Sequence, residues 1–460
     1  MADLRVAIVG TADAANYGDL LFPLIAAHEL RARLGDVELV SYGYRDVGAS
    51  GWPFAVRSAG ALASEIAGFD LLLVGGGLLI RDDAALADGY APSDQSVHQP
   101  LGLWLVPTLL AHAAGVPVVW NAVGAANTFA PWLHPMMRAA VKGCAYVAVR
   151  DEASADALTR VVPDARIHVV PDTAFGAQVL VDEETKRAAQ RTLESAGIGD
   201  RRYVVVQSTA GLSAVRSAID EALVAARAQD AVVLELPIGP ILGDQTGAFP
   251  IGGHVATLDH WPSPQVLTAL LGGAEAIIHQ SLHAGVVGFG AGVPCLRRPM
   301  PGGGKHDQLN GLPGVHLLGQ NGAPAVLATP RRADPTADAI RNSIRGALDA
   351  YWDTVAGVAG RPAPLAGSAM LELISELPGM AQASADEVAS LERQLVDQAE
   401  YKAAYQAFAY RAEELAENPD DTAELAYLRQ RDVTLQRILD GGWWQLRNRL
   451  QPLLRLARKR

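Results

Sequence analysis

The chain has 460 residues, of which 50% are hydrophobic and 19% are charged, and its formal net charge is −12. This length is sufficient for two or three domains with a substantial core. The negative charge argues against general nucleic-acid binding, because that function needs clustered Lys and Arg to neutralise phosphates.

The N-terminal stretch MADLRVAIVG contains Asp3 and only a short apolar run, which predicts a first strand and not a signal peptide. Farther on, Leu101–Trp120 is the most apolar segment, but two prolines, a histidine and a glycine divide it into a helix and a strand. We therefore predict that this segment belongs to the core and does not span a membrane. Cys144 and Cys295 lie among small apolar residues, which favours buried free thiols over a disulfide.

Short β-branched runs alternate with helical stretches from residue 4 to about residue 320, which is typical of βαβ units and a parallel sheet. The strands predicted in the first half are RVAIVG, VELVSYG, DLLLVGG, VPVVWNAVG, YVAVRD and RIHVVPD. Those predicted in the second half are RYVVVQSTAG, AVVLELPIG, AEAIIHQ, GVPCLRR and GVHLLG. A charged helical stretch places the boundary near residues 190–202. The sequence thus predicts an α/β protein with two Rossmann-like, doubly wound domains, over residues 1–190 and 195–330, that face a cleft.

The composition changes after the second predicted domain. Residues 331–380 are predicted to be helical, and residues 384–440 contain almost no Gly and repeat apolar residues at three- and four-residue steps. This pattern predicts a helical hairpin or coiled coil, which either binds a second copy of the chain or packs on its own catalytic domain. Residues 441–460 form a basic tail with two tryptophans, which predicts an interfacial membrane contact or a partner surface, or else a solvated tail.

The first candidate site motif is NYGDLL, which follows the first predicted strand. Asn16 and Gly18 suit a tight turn, and Asp19 is expected to cap the next helix, whose free amides would face the cleft. A purely structural strand-to-helix turn is the alternative interpretation.

A second motif, DLLLVGGGLLIRDD, ends a buried strand in three successive glycines, Gly75, Gly76 and Gly77. Three glycines in a row let a ligand approach the backbone closely and present N–H groups to an anion. The motif lacks the spacing of a dinucleotide fingerprint and of a P-loop. A tight exit from the strand is the structural alternative.

Two more motifs follow predicted strands. In AVRDEAS, Arg150 leaves the carboxyl end of a strand, where its guanidinium can hold a phosphate or carboxylate. Asp151 or Ser154 then caps the following helix; alternatively, Arg150 and Asp151 simply pair to hold the turn. In VVPDTAF, Asp172 either points into the cleft or caps a linker.

The fifth motif, AEAIIHQSLHAGVVGFGAGVPCL, places His279, Ser281 and His283 between a buried strand and a helix of small residues. Ser281 is expected to cap that helix. His283 would lie in its first turn, where the helix dipole favours the neutral imidazole and a role as general base. The glycine run PMPGGGKHDQL follows, with Lys305 and His306 able to close over an anion.

Taken in order, NYGDLL, DLLLVGGGLLI, AVRDEAS, VVPDTAF and SLHAGVVGFGAGVPCL followed by Lys305 resemble the polysaccharide pyruvyl transferase family over residues 4–320. The resemblance implies a GT-B-like pair of domains that transfers a pyruvyl group from phosphoenolpyruvate to sugar hydroxyls, forming a pyruvate ketal on a cell-surface glycan. His283 is then the acid/base residue. The expected substrate-binding residues are Asn16, Asp19, Gly75, Gly76, Gly77, Arg150, His279, Ser281 and Lys305.

One position departs from the family pattern, which commonly reads Arg-Leu-His where this chain has Ser281, Leu282 and His283. Either Lys305 or Arg150 compensates for the absent arginine, or the donor has changed. Two other functions therefore stay open. One is a GT-B-type nucleotide-sugar glycosyltransferase, and the other is a catalytically silent scaffold of a glycan-assembly complex.

No metal or cofactor is expected, because the histidines of these motifs come without a matching set of carboxylates or thiolates. We expect a cytoplasmic protein with a peripheral membrane contact through its basic tail. Self-association through the predicted coiled coil is a further expectation.

Overall fold

The structure is a computed structural model. The residues it describes are 4–83, 97–300, 305–319, 334–363 and 367–377, with the isolated positions 327, 379, 382, 386, 389, 390 and 393. Residues Met1–Leu377 form one compact unit and Pro378–Arg460 a second. Apart from four helical positions, the predicted coiled coil over 384–440 lies outside the described residues, as does the whole basic tail.

Two parallel sheets form the centre of the first unit. The strands are β1 (Leu4–Val9), β2 (Val37–Gly43), β3 (Val56–Ser58), β4 (Leu71–Val74), β5 (Leu78–Ile80), β6 (Val118–Ala125), β7 (Tyr146–Val149), β8 (Ile167–Val169), β9 (Tyr203–Gln207), β10 (Val232–Leu236), β11 (Ala276–His279), β12 (Cys295–Arg297) and β13 (Val315–Leu317). The first sheet has the order β3-β2-β1-β4-β6-β7-β8, with β5 paired to β6, and the second has the order β10-β9-β11-β12-β13. The protein is therefore α/β, with parallel sheets in two lobes, as predicted.

Helices cover these sheets. They are α1 (Tyr17–Leu34), α2 (Leu62–Glu65), α3 (Leu105–Ala114), α4 (His134–Gly143), α5 (Glu152–Val161), α6 (Glu183–Ser195), α7 (Arg216–Arg227), α8 (Pro264–Gly273), α9 (Leu282–Gly290) and α10 (Pro335–Val358). The connection from β8 to α6 contains a 3₁₀ helix, Thr173–Leu180. Within the described part of the chain, no helix is long and apolar enough to cross a bilayer.

The strand predictions succeed for most of the two sheets. Each of the eleven predicted runs overlaps one strand, and VELVSYG coincides with β2. The apolar segment Leu101–Trp120 divides into α3 and the start of β6, as predicted, and most of its side chains are buried. β3 and β5, of three residues each, were not predicted. Cys144 and Cys295 are buried free thiols, and burial raises the pKa of Cys144.

The strand order reverses once in each sheet. In the first sheet this point lies between β1 and β4, and in the second it lies between β9 and β11. Ligands of doubly wound sheets bind in the crevice outside the carboxyl ends of such strands. Helices α1 and α9 begin soon after β1 and β11, so both helix starts lie at these crevices.

The start of α1 connects the two lobes. Tyr17 N donates to Ile238 O at 3.1 Å, and Ile241 N donates to Ala15 O at 3.1 Å. The Tyr17 hydroxyl also shares a buried hydrogen bond of 2.7 Å with Thr268 Oγ1 on α8. Because these contacts join backbone and core groups of both lobes, they hold the crevices of the two sheets together.

Helix α10 follows the second sheet in sequence but packs on the first lobe. Tyr351 Oη donates to Asn121 Oδ1 on β6 at 2.7 Å, in a fully buried contact. Arg33 of α1 forms an ion pair of 2.8 Å with Asp353. Residues 367–377, which are also helical, continue this packing through contacts with α4. The chain thus returns to its first lobe after completing the second.

Candidate active site

A cavity of about 530 Å³ lies where the two crevices meet. Small-molecule sites generally have volumes of roughly 300–1,000 Å³. Residues from both lobes line it: Thr11, Asn16, Asp19, Tyr44, Gly76, Gly77, Leu78, Leu79, Arg81, Gln99, Pro100, Arg150, Gln207, Thr209, Gly239, Leu242, Asp244, Gln280, Ser281, Leu282, His283, Met300 and His306. Seven predicted site residues are therefore brought together. Gly75 and His279 are not in this wall, and the side chain of Lys305 lies outside the described residues.

His283 is the second residue of α9, and its imidazole lies against the first turn of α1. A Cβ atom on Gly18 would lie 1.8 Å from His283 Nδ1, so the ring occupies the space that glycine leaves open. The ring of Phe22 meets the imidazole edge-on, with centroids 5.5 Å apart. The residue as a whole is only 9% exposed. Packing from the first lobe thus fixes a side chain of the second lobe at the cavity.

This packing predicts the effect of Gly18→Ala. The added methyl group would displace His283, because the ring and the new Cβ cannot occupy the same space. Overpacking of this kind costs about 1–3 kcal/mol, so we expect a lower melting temperature together with a loss of catalytic activity. Gly10→Ala is the matched control, since a Cβ at Gly10 meets no atom within 4 Å. Equal melting temperatures and activities for the two variants would contradict the described packing.

Asp172 lies behind His283 and is fully buried. It begins the Thr173–Leu180 3₁₀ helix, and its Oδ1 accepts a hydrogen bond of 3.0 Å from Ala174 N. Its Oδ2 lies 3.8 Å from His283 Nε2 and 3.6 Å from Arg150 Nη1. Asp172 thus caps the connection after β8 with one oxygen, and its other oxygen lies near His283 and Arg150.

Arg150 follows β7 directly and is one of the residues that line the cavity. Its side chain is 1% exposed, and its Nε lies 3.5 Å from Asp151 Oδ2. The guanidinium packs over Gly124, where an added Cβ would lie 2.6 Å from Nη2. Asp151 caps α5 by accepting a hydrogen bond of 2.8 Å from Ser154 N, which decides between the two predicted caps. The guanidinium of Arg150 therefore lies between the carboxylates of Asp151 and Asp172, at the wall of the cavity.

The start of α9 differs from the prediction. Ser281 occupies the N-cap position, but its side chain makes no capping hydrogen bond, so the expected serine cap is wrong. Instead Gln207, at the carboxyl end of β9, reaches across. Its Oε1 accepts hydrogen bonds from Gln280 N at 2.8 Å and Ser281 N at 2.7 Å. Its Nε2 donates to Asp244 Oδ2 at 2.7 Å. Gln207 was not among the predicted site residues. A polar side chain at the end of the apolar run VVV was the signal from which it could have been predicted.

The start of α1 also requires a correction. The helix begins at Tyr17, so Asp19 is a residue of its first turn and cannot be the predicted cap. Asn16 holds the N-cap position without a capping bond from its side chain. Asp19 nevertheless lines the cavity. Because it lies in the first turn of α1, its carboxylate is stabilised by the positive end of the helix dipole.

The three glycines after β4 have different roles. Gly75 N donates to Val9 O at 2.7 Å, so this amide belongs to the sheet and is not available to a ligand. A Cβ on Gly76 would lie 2.3 Å from the Phe22 ring. Gly77 has φ = +80°, a conformation that favours glycine. Only Gly76 and Gly77 line the cavity.

His279 ends β11 and is buried. Its Nδ1 donates to Ser281 O at 2.7 Å, and its ring packs on Gly285 of α9. Burial lowers the pKa of His279 to about 4, so the imidazole is neutral near pH 7. The structure thus places His279 beneath the turn into α9, which it supports, and outside the wall of the cavity.

The charged residues that line the described cavity are two arginines and two aspartates. Arg81 forms a bidentate pair with Asp83, with distances of 2.9 and 2.6 Å. Arg150 lies beside Asp172. Asp244 and Asp19 carry the negative charges of the wall. Among the described residues the wall therefore offers two guanidinium groups, each beside a carboxylate.

Comparison with known proteins identifies relatives of this chain. The family model for polysaccharide pyruvyl transferase matches residues 16–297. No curated protein matches significantly.

Solved structures with a similar fold include the UDP-GlcNAc 2-epimerase from Methanocaldococcus jannaschii, with TM-score 0.45, 11% identity, and coverage of 75% of this chain and 99% of that chain. The UDP-GlcNAc 2-epimerase from Neisseria meningitidis has TM-score 0.41 and 11% identity over 81% of this chain and 99% of that chain. A glycosyltransferase from Rickettsia africae ESF-5 has TM-score 0.38 and 12% identity over 83% and 99%. At such scores the likeness supports no argument about function. The family match, in contrast, covers more than half of the chain, and the protein is therefore an enzyme that belongs to the polysaccharide pyruvyl transferase family.

Proposed function

We propose that the protein transfers a pyruvyl group from phosphoenolpyruvate to a sugar hydroxyl of a cell-surface polysaccharide or its precursor, forming a pyruvate ketal. The observation that carries the proposal is the buried Asp172 carboxylate, whose Oδ2 lies within 4 Å of two residues of the cavity wall, His283 and Arg150. Membership of the family supports the same reaction. The cavity volume of about 530 Å³ is sufficient for a small donor together with a sugar ring.

The chemistry requires proton transfer at two places. In the overall reaction, two sugar hydroxyls bond to C2 of phosphoenolpyruvate and the C2–O bond to phosphate breaks. One hydroxyl proton is delivered to C3, which becomes a methyl group, and the other leaves with the phosphate. His283 is the group in the cavity wall suited to take a proton from the hydroxyl and to deliver one to C3.

Asp172 and Arg150 complete the proposed machinery. A buried carboxylate 3.8 Å from His283 Nε2 orients the imidazole and stabilises the imidazolium that forms when the ring accepts a proton. Arg150 is proposed to hold the phosphate or carboxylate of the donor, because a guanidinium matches both groups in shape and charge. In this proposal Arg150 compensates for the arginine that Ser281 replaces, and Lys305 supplies a second cation.

A comparison of melting temperatures tests the donor. Phosphoenolpyruvate at about 100 times its dissociation constant would stabilise the folded protein by about 2.7 kcal/mol, so we expect a rise of a few degrees. Pyruvate and inorganic phosphate, each carrying only part of the donor, are the controls and should shift the melting temperature less. A shift with a UDP-sugar and none with phosphoenolpyruvate would contradict the proposal in favour of a nucleotide-sugar glycosyltransferase. No shift with either ligand would contradict the proposed donor as well.

The remaining proposals concern location and assembly. We propose that the enzyme acts in the cytoplasm, where phosphoenolpyruvate is produced. Its basic tail, residues 441–460, is proposed to contact the membrane surface at which glycan precursors are assembled. Self-association is proposed for residues 384–440. These two segments lie outside the described residues, apart from four positions of the second.

A further inference from the structure

We propose that Gln207 is a positioning residue: its carboxamide sets the start of α9 and thereby the location of the His283 imidazole. This inference rests on the proposed function, because it concerns the residue that transfers protons there. Gln207 is 5% exposed and lies at the carboxyl end of β9, at the crevice of the second sheet.

The hydrogen bonds of Gln207 permit one orientation of its carboxamide. Oε1 accepts from two backbone amides, Gln280 N and Ser281 N, and Nε2 donates to the carboxylate of Asp244. A flipped carboxamide would direct its NH₂ group at two N–H donors and its oxygen at a carboxylate, and every one of these contacts would be lost. The side chain therefore connects β9 to the two residues that precede α9 with a defined geometry.

Asp244 extends the connection to the other lobe. The same oxygen, Oδ2, also accepts from Ile238 N at 3.1 Å and from Gly239 N at 2.9 Å. Ile238 O in turn accepts from Tyr17 N, the first residue of α1. One chain of hydrogen bonds thus joins the start of α9, which carries His283, to the start of α1, on which the imidazole packs.

Gln207 also occupies two backbone amides next to the start of α9. The amides of Gln280 and Ser281 precede the first residue of the helix, Leu282, and both donate to Oε1. Because these two amides are already satisfied, Gln207 is proposed to act on the backbone that leads into α9 and not on the donor, so that its effect on the reaction passes through His283. Its substitution should therefore change the rate constant more than the affinity for donor.

Gln207→Glu is the informative variant. It keeps the size of the side chain and an oxygen facing the two amides, but it replaces the donor to Asp244 with a second carboxylate oxygen. Repulsion between the two carboxylates would shift the start of α9. A displacement of about 1 Å at a catalytic group can cost about 100-fold in rate. Turnover is measured as phosphate release from phosphoenolpyruvate in the presence of a panel of methyl glycosides.

We expect Gln207→Glu to lower kcat by about 10- to 100-fold while the KM for phosphoenolpyruvate changes less than about threefold. In a His283→Ala background the same substitution should have little further effect, because both act through one imidazole. Gln190→Glu is the matched control: this glutamine also donates to an aspartate, Asp200, but on the exposed face of α6. The control should leave kcat unchanged.

Three outcomes would overturn the inference. They are an unchanged kcat in Gln207→Glu, an effect confined to KM, and a full additional loss in the His283→Ala background. If the His283→Ala variant is too slow to measure, the inference is decided by whether Gln207→Glu lowers kcat or raises the KM for phosphoenolpyruvate. Failure of the proposed function is recognised separately, because phosphoenolpyruvate would then not be consumed by the unsubstituted enzyme or His283→Ala would remain fully active.

Discussion

His283→Ala is expected to reduce phosphate release from phosphoenolpyruvate by about 10²- to 10⁴-fold, the usual contribution of a general acid or base. The variant should remain folded, because the substitution removes side-chain atoms at the wall of the cavity and adds none that would clash with the first turn of α1. The donor should still raise the melting temperature, because Arg150 is retained. Steady-state kinetics and a thermal shift with phosphoenolpyruvate measure the two properties on the same preparation.

The control for this prediction is His254→Ala, which removes an exposed imidazole from a loop of the second lobe. It should change neither the rate nor the melting temperature. If His283→Ala retained the full rate of phosphate release, the assignment of His283 as the proton-transfer residue would be wrong. Loss of activity together with unfolding would assign it a role in packing only.

Arg150→Met is expected to have the largest effect on stability. Removing the guanidinium leaves the Asp172 carboxylate, which is fully buried, without the cation 3.6 Å from its Oδ2. Breaking a buried ion pair by removing one partner commonly costs about 3–5 kcal/mol. We expect a lower midpoint of urea unfolding and, in the fraction that remains folded, no thermal shift with phosphoenolpyruvate.

Arg160→Met provides the comparison, because Arg160 lies on the exposed face of α5 and donates to Asn127 O at 2.8 Å. This variant should unfold at nearly the same urea concentration as the unsubstituted protein and should still respond to phosphoenolpyruvate. If Arg150→Met retained both its unfolding midpoint and its response to the donor, Arg150 would be neither the partner of Asp172 nor the proposed anion ligand.

Local patterns were sufficient to predict the elements that carry the site. β2 was predicted with its observed limits, and the turn of VVPDTAF was placed correctly after β8. These predictions succeed because a buried strand appears in the sequence as a run of apolar residues, and the end of the strand appears as a change to polar residues, Gly or Pro. The position of His283 in the first turn of α9 followed in the same way.

The failures concern groups whose partners are distant in sequence. Ser281 is a cap by residue type, but its side chain makes no capping hydrogen bond. The contact that holds this turn comes instead from Gln207, 73 and 74 residues before the amides of Gln280 and Ser281 that it accepts from. His279 was grouped with His283 because the two are close in sequence. The structure buries one beneath the turn and places the other at the cavity, since the strand end and the helix face different environments.

Neighbouring residues were sufficient to indicate the succession of buried strands and amphipathic helices, the two lobes and the motifs at the strand ends, because each of these depends on local chemistry. Which of those motifs act together depends on the tertiary fold. Asp172 meets His283 across 111 positions of sequence, and α10 returns to the first lobe, because such contacts depend on how the two sheets pack and not on any local pattern. The pairing of a buried carboxylate with an imidazole from the other lobe is therefore a property of the folded protein alone.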